Sequence, residues 1–179
     1  MADDSGAAFE VGQTGLIVPI PEAEPILRGW RDRLDPSAEA GVPAHVTVLY
    51  PFLGASRLDA RVDSALADLV GRHPAFDLRF ATCGRFPDVL YLVPEPDEPL
   101  HRLTRSIVER WPEAPPYGGR FTETVPHLTV AQGRQEPVLD AIEADLAGTL
   151  PFTSHVTAVE LMVYDGTRWR ERASYPLGG

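Results

Sequence analysis

Two short segments each place a histidine and a threonine two residues apart in an apolar run. The first is HVTV, starting at His45, and the second is HLTV, starting at His127, about half the chain later. Successive side chains on a β-strand point to opposite faces, so each histidine shares a face with its threonine, Thr47 or Thr129. Histidine titrates near neutral pH, so two imidazoles that meet across a cleft can act as general acid and general base.

The apolar residues of the two segments predict what covers the opposite face. They are Val46, Val48, Leu128 and Val130, and they suit a face packed against helices. The histidines and threonines are then left to face something polar. Threonine hydroxyls and nearby backbone N–H groups can hold the non-bridging oxygens of a phosphate in line. The pattern therefore favours chemistry on a phosphodiester, carried out by side chains without a metal or cofactor.

A third match to the pattern, HVTA, starts at His155. It lies in a predicted strand near the C-terminus, and no proline-containing loop precedes it as one precedes the other two. A bare three-residue pattern carries a high risk of chance matches. We interpret His155 as a strand residue that matches by coincidence.

Apolar periodicity predicts the elements that must position the two motifs. Strands are predicted over 13–19, 45–50, 76–83, 88–93, 127–131, 152–164 and 168–177, and helices over 22–34, 57–72, 97–111 and 136–148. The order repeats once, which indicates an internal duplication. We expect a duplicated, two-lobed α+β fold: one domain over residues 1–179, with interleaved halves of about 1–95 and 96–179. Two mainly antiparallel sheets would face a central cleft, with helices outside. A parallel doubly wound sheet is the alternative, although no glycine-rich phosphate fingerprint follows a strand.

Composition limits the classes of function. The chain has 179 residues, of which 44% are hydrophobic, and a formal net charge of −10. That charge argues against coating long nucleic acid, which depends on neutralising many phosphates, but it allows a small anionic substrate in a local pocket. No apolar run is long enough to span a bilayer, and the N-terminus has no signal pattern. The single cysteine, Cys83, excludes an internal disulfide. We expect a cytoplasmic monomer that does not bind membranes.

The paired motifs resemble those of the two-histidine phosphoesterase superfamily, which includes 2′-5′ RNA ligases and cyclic nucleotide phosphodiesterases. The resemblance implies that His45 and His127 are the acid–base pair, that Thr47 and Thr129 contact phosphate, and that no metal or cofactor takes part. It also implies substrates with 2′,3′-cyclic phosphates or 2′-5′ linkages, either small nucleotides or RNA ends. The chain departs from the pattern after the second motif, where Gln132 replaces the basic residue of many members.

Two further hypotheses remain open. In the loop 115–121, Tyr117 or Phe121 could stack on a base and Arg120 could meet a phosphate, although a packed surface loop is the simpler interpretation. The chain could also be a non-catalytic module that binds a nucleotide or cyclic phosphate. The motifs do not separate that function from catalysis.

Overall fold

Eight strands form in the part of the chain that the computed structural model describes, residues 9–179. They are β1 Thr14–Pro19, β2 His45–Leu49, β3 Phe76–Phe86, β4 Val89–Glu95, β5 Leu128–Gln132, β6 Phe152–Val156, β7 Ala158–Tyr164 and β8 Trp169–Pro176. Ten of the eleven predicted elements occur with ends shifted by a few residues. The predicted strand over 152–164 is the exception.

Five α-helices connect the strands of this region: α1 Glu24–Leu34, α2 Pro36–Glu39, α3 Ala60–Gly71, α4 Glu98–Arg110 and α5 Glu136–Leu146. The sequence predicted all of them except α2. Asp35 begins α2 by accepting a hydrogen bond from the Ser37 N–H, and Pro36 occupies the first turn, where its missing N–H costs nothing. One turn of helix is too short for apolar periodicity to reveal.

The strands pair in two four-stranded sheets, and every pairing between named strands is antiparallel. The first sheet has the order β2-β1-β7-β8 and the second the order β5-β4-β3-β6. The predicted α+β class with two antiparallel sheets is confirmed, and the parallel doubly wound alternative is wrong. Each sheet takes two strands from residues 1–95 and two from residues 96–179.

The prediction of one continuous strand over 152–164 is wrong. The chain leaves the second sheet after Val156 and enters the first sheet at Ala158. The burial phase changes at this point, since Ser154 and Val156 are buried before the break and Val159 and Leu161 after it. One of the buried positions, Ser154, is polar. The alternation of apolar residues therefore does not reveal the change of phase in the sequence.

One hydrophobic core joins the two sheets. Helix α1 follows β1 of the first sheet but packs against β5 of the second, and α4 follows β4 of the second sheet but packs against β2 of the first. Because each of these helices covers the sheet to which it is not directly connected, the strands that carry the two motifs are backed by apolar side chains.

None of the described helices is long and apolar enough to cross a membrane. The acidic segment 1–8, which contributed to the expectation of a cytoplasmic location, lies outside the described residues.

Replacement of Phe80 by alanine tests this shared core. Phe80 is fully buried on β3 and stacks on Phe152 of β6, with ring centroids 5.0 Å apart. Removing a buried aromatic ring leaves a cavity, so we expect Phe80→Ala to lower the free energy of unfolding by about 3–5 kcal/mol in urea titrations. Val138→Ala, at a position of α5 that is 42% exposed, is the control and should change it by less than about 0.5 kcal/mol. Equal effects of the two substitutions would contradict the assigned core.

Candidate active site

The two motifs lie on edge strands that pack against each other. β2 is an edge of the first sheet and β5 an edge of the second, and residues of the two strands are in contact. Val46 and Val48 are buried, as are Leu128 and Val130. The motif histidines and threonines are only partly buried. The alternation predicted from the sequence is therefore confirmed, and it leaves the four polar side chains on the accessible faces of the two strands.

Both motif histidines are held by the same local hydrogen bond. Nδ1 of His45 lies 2.7 Å from the carbonyl oxygen of Pro43, and Nδ1 of His127 lies 2.7 Å from that of Val125. A carbonyl oxygen can only accept, so Nδ1 carries the hydrogen and donates it in each ring. Nε2 is then the atom at which either ring can take up or release a further proton.

Burial changes the charge of both imidazoles. It lowers the pKa of His45 from 6.5 to about 4, although the bond to the Pro43 carbonyl opposes this effect. Burial also lowers the pKa of His127, against the bond to the Val125 carbonyl. A positive charge on His127 further lowers the pKa of His45, so the two rings are near enough to influence each other. Without a ligand, both rings are neutral at pH 7.

Aromatic side chains surround the second histidine. The ring of His127 meets Phe86 and Tyr91 edge to face, with centroids 5.1 and 5.5 Å away. Tyr91 is the cross-strand partner of both Thr129 and Gly84, and its ring lies over Gly84, where an added Cβ would come within 2.4 Å of the ring. A glycine is therefore needed at position 84 for Tyr91 to lie beside His127. The sequence analysis did not identify these residues, because the contacts depend on strand register.

Charged side chains surround the first histidine instead. Arg31 and Asp35 are each 3% exposed and pair with each other on α1 and at its C-terminal end. Glu24, at the start of α1, approaches Arg31 to 3.8 Å. A positive charge on Arg31 lowers the pKa of His45, and a negative charge on Asp35 raises it. The i, i+4 spacing of Arg31 and Asp35 was visible in the sequence, but it is common on exposed helix faces and did not indicate a buried pair.

A small pocket adjoins Thr47. It lies between the end of β2, α4 and the loop before the second motif, and its lining includes Tyr50, Thr104, Tyr117, Thr124 and Val125. The Tyr117 N–H donates to the Tyr50 carbonyl, which fixes this loop to β2. Tyr117 has a positive φ of 51°, and Gly118 and Gly119 follow with positive φ as well, so the chain turns sharply at the pocket wall.

The candidate aromatic residues of this loop take different positions. Tyr117 lines the pocket and meets Phe121 edge to face at 5.7 Å. Phe121 is 39% exposed, and Val125, next to the second motif, is 47% exposed. Arg120 is exposed, as is Arg134 beyond the second motif. The rim of the pocket therefore offers apolar surface to a ligand.

The third motif is not part of this cleft. His155 lies on β6, at the edge of the second sheet opposite β5, and it is exposed. Its Nδ1 is 2.6 Å from a carboxylate oxygen of Asp77 on the neighbouring strand. Within residues 9–179, no three histidine, cysteine, aspartate or glutamate side chains are arranged to hold a metal ion.

Comparisons with known proteins identify the family and the fold. The family model for the 2′-5′ RNA ligase superfamily matches residues 18–168. No curated protein sequence matches the chain. Among solved structures, E. coli LigT complexed with 3′-AMP is 22% identical, with a TM-score of 0.62 and coverage of 95% of this chain and 100% of that one.

Other solved structures show the same fold. E. coli LigT complexed with ATP is 21% identical, with a TM-score of 0.58, and covers 95% of this chain and 100% of its own. TT0787 of Thermus thermophilus is 18% identical, with a TM-score of 0.60, and the match covers 93% of this chain and 98% of that one. At these sequence identities, the similarity shows that the fold is shared and no more than that.

Gly84→Ala tests the packing of the second histidine. The added methyl group would collide with the Tyr91 ring, so we expect a loss of about 1–3 kcal/mol in unfolding free energy and a changed NMR chemical shift of the His127 ring. Gly148→Ala is the matched control, since an added Cβ there meets nothing within 4 Å, and it should leave that shift unchanged. An unperturbed His127 signal in Gly84→Ala would contradict the packing described here.

Proposed function

Because this chain belongs to the 2′-5′ RNA ligase superfamily, we propose that it is a phosphodiesterase that opens 2′,3′-cyclic phosphates of nucleotides or RNA ends without a metal ion. Reversible 2′-5′ ligation would be the same chemistry with a ribose hydroxyl in place of water. The observation that carries the proposal is the matched pair of histidines, each fixed through Nδ1 to a carbonyl two residues earlier. This arrangement leaves two Nε2 atoms available for proton transfer.

The reaction needs one neutral and one protonated imidazole. The neutral Nε2 takes a proton from water as the water oxygen bonds to phosphorus. The bond from phosphorus to the 2′- or 3′-oxygen breaks, and the protonated Nε2 gives its proton to that oxygen. The hydroxyls of Thr47 and Thr129 donate hydrogen bonds to the non-bridging oxygens. Exchange of protons with solvent restores the starting pair.

The substrate itself supports the required protonation state. Both imidazoles are neutral in the free protein at pH 7 because burial lowers the pKa of each. A bound phosphodiester anion favours the charged form of a neighbouring imidazole. Binding therefore raises the pKa of the rings, so one of them can carry a proton while the other stays neutral.

The pocket beside Thr47 supports an organic substrate rather than free phosphate. Thr47 belongs both to the first motif and to the pocket lining, so a ligand whose phosphate contacts Thr47 can extend into the pocket. LigT has been crystallised in complex with ATP, NADP+ and 3′-AMP, and this supports a nucleotide for the present chain. The net charge of −10 favours a small nucleotide over long RNA.

Substitution of either motif histidine should abolish turnover. We expect His45→Ala and His127→Ala each to lower kcat for 2′,3′-cyclic mononucleotides by about 10²–10⁴-fold in the presence of EDTA, because each removes one proton-transfer group. His155→Ala is the matched control, because His155 belongs to the same sequence motif but lies on an exposed edge strand. The activity of this variant should equal that of the wild type.

The outcomes of this assay separate the two functions. Activity retained in either motif variant would contradict the mechanism. Saturable binding of a cyclic nucleotide by the wild type, without turnover, would instead identify a binding module.

The pH dependence should reflect the lowered pKa values. In the free protein, the species with one neutral and one protonated ring is most populated between the two histidine pKa values, which both lie below 6.5. We therefore expect kcat/KM to follow a bell-shaped curve with its maximum below pH 6.5. The maximum of kcat should lie at higher pH, because the bound anion raises both values. Coincident maxima of kcat and kcat/KM, or a flat profile, would contradict this account.

A further inference from the structure

We propose that Glu24, Arg31 and Asp35, the charge triad, position the ring of His45 by fixing the backbone on both sides of Pro43. Hydrogen bonds link these residues to the backbone that holds the His45 ring. The effect of this link on catalysis rests on the proposed function. None of the three residues lines the pocket, so they are positioning residues rather than catalytic ones.

The centre of the triad is a buried arginine that is hydrogen-bonded through Nε and Nη2. Arg31 donates from Nε to a carboxylate oxygen of Asp35 at 3.0 Å, and its Nη2 donates to the Val42 carbonyl at 3.2 Å. Asp35 uses its other oxygen to accept from Ser37. Burying such a pair costs desolvation energy that its attraction often fails to recover. A stabilising role alone therefore explains the arrangement poorly, whereas control of local geometry explains it well.

The triad reaches the backbone on both sides of Pro43. Arg31 holds the carbonyl of Val42, and Glu24 accepts a 2.6 Å hydrogen bond from the N–H of Ala44. Between these two anchors lies the Pro43 carbonyl, which accepts from Nδ1 of His45. Displacing either anchor would rotate this carbonyl, and the imidazole bonded to it would follow.

The second histidine is supported in a different way. Val125 supplies the corresponding carbonyl, but it is 47% exposed, and the His127 ring packs against the aromatic rings of Phe86 and Tyr91. Within residues 9–179, Arg31 and Asp35 form the only ion pair in which both side chains are almost fully buried. The contrast indicates that a histidine–threonine motif of this kind can orient its histidine without buried charges, so the triad is specific to the first site.

The same contacts control the charge of the first imidazole. The charged and titratable groups that act on His45 are Arg31 and Asp35 from the α1 side and His127 from the β5 side, while Glu24 pairs with Arg31. Removing Arg31 would leave two carboxylates near His45 and no compensating cation, so the pKa of His45 should rise. The charged group that acts on His127 is Asp35, which stays in place when Arg31 is replaced, so the titration of His127 should change less than that of His45.

The test compares Arg31→Met and Arg31→Lys in the full chain. We expect Arg31→Met to raise the pKa of His45, measured by NMR of the imidazole ring, by about one pH unit while that of His127 changes less. With cyclic nucleotides, kcat should fall about tenfold with a smaller change in KM, and one limb of the pH–rate curve should move to higher pH. Arg31→Lys keeps the charge but not the forked geometry, so it should restore the His45 titration and only part of kcat.

A second pair of variants applies if Arg31→Met does not fold. The Glu24 side chain is 28% exposed, so Glu24→Ala is the milder change. It removes the acceptor for Ala44 and should lower kcat, while Glu24→Gln retains an oxygen acceptor and should recover most of it. Arg28→Met, on an exposed position of the same helix, is the control and should behave as the wild type.

Failure of this inference differs from failure of the proposed function. Folded Arg31→Met and Glu24→Ala variants with an unchanged His45 titration and unchanged kcat would overturn the inference. A wild type that turns over no cyclic nucleotide would refute the proposed function, and the NMR titration would still decide whether the triad controls His45.

Discussion

The hydrogen bond from Nδ1 of each motif histidine to the carbonyl two residues earlier is the constraint on which the cleft depends. It selects one tautomer, because a carbonyl cannot donate, and it leaves Nε2 of both rings as the atom that can take up or release a further proton. The bond forms only if the segment before each strand approaches the ring closely. In both cases that segment contains a proline, which restricts the backbone. The proline-containing segment that precedes each motif is therefore part of the site.

Exchange of strands between the sheets brings the two rings together. Had each half of the chain formed its own sheet, the motifs would lie in separate units joined by a linker. Instead, β7 and β8 complete the sheet of the first motif, while β3 and β4 complete that of the second. Helices α1 and α4 each cover the opposite sheet, so one core supports both motif strands. The relative position of the two histidines is then fixed by core packing.

Sequence patterns could predict those features that depend on local periodicity. The motif strands, four of the helices and the inward-facing Val46 and Leu128 follow from alternation and helical spacing. The break at Thr157 does not, since β-branched and apolar residues continue through it. Phe86 and Tyr91 become neighbours of His127 only through the register of three strands. Arg31 looks like half of a surface ion pair until α1 is placed against β5, so its burial and its link to His45 required the structure.

The motifs are nearly symmetric, but the proposed reaction is not, because it requires one imidazole to hold a proton that the other lacks. The two rings have different surroundings, and this supplies the difference. His45 has a buried cation, Arg31, that opposes a charge on its ring. His127 lies against aromatic side chains, and the negative charge of Asp35 raises its pKa. A phosphodiester anion placed between them would favour the charged form of both rings, while Arg31 opposes that charge on His45. In the proposed mechanism the two motifs provide matching proton-transfer groups, and the unlike residues behind them distinguish the two rings.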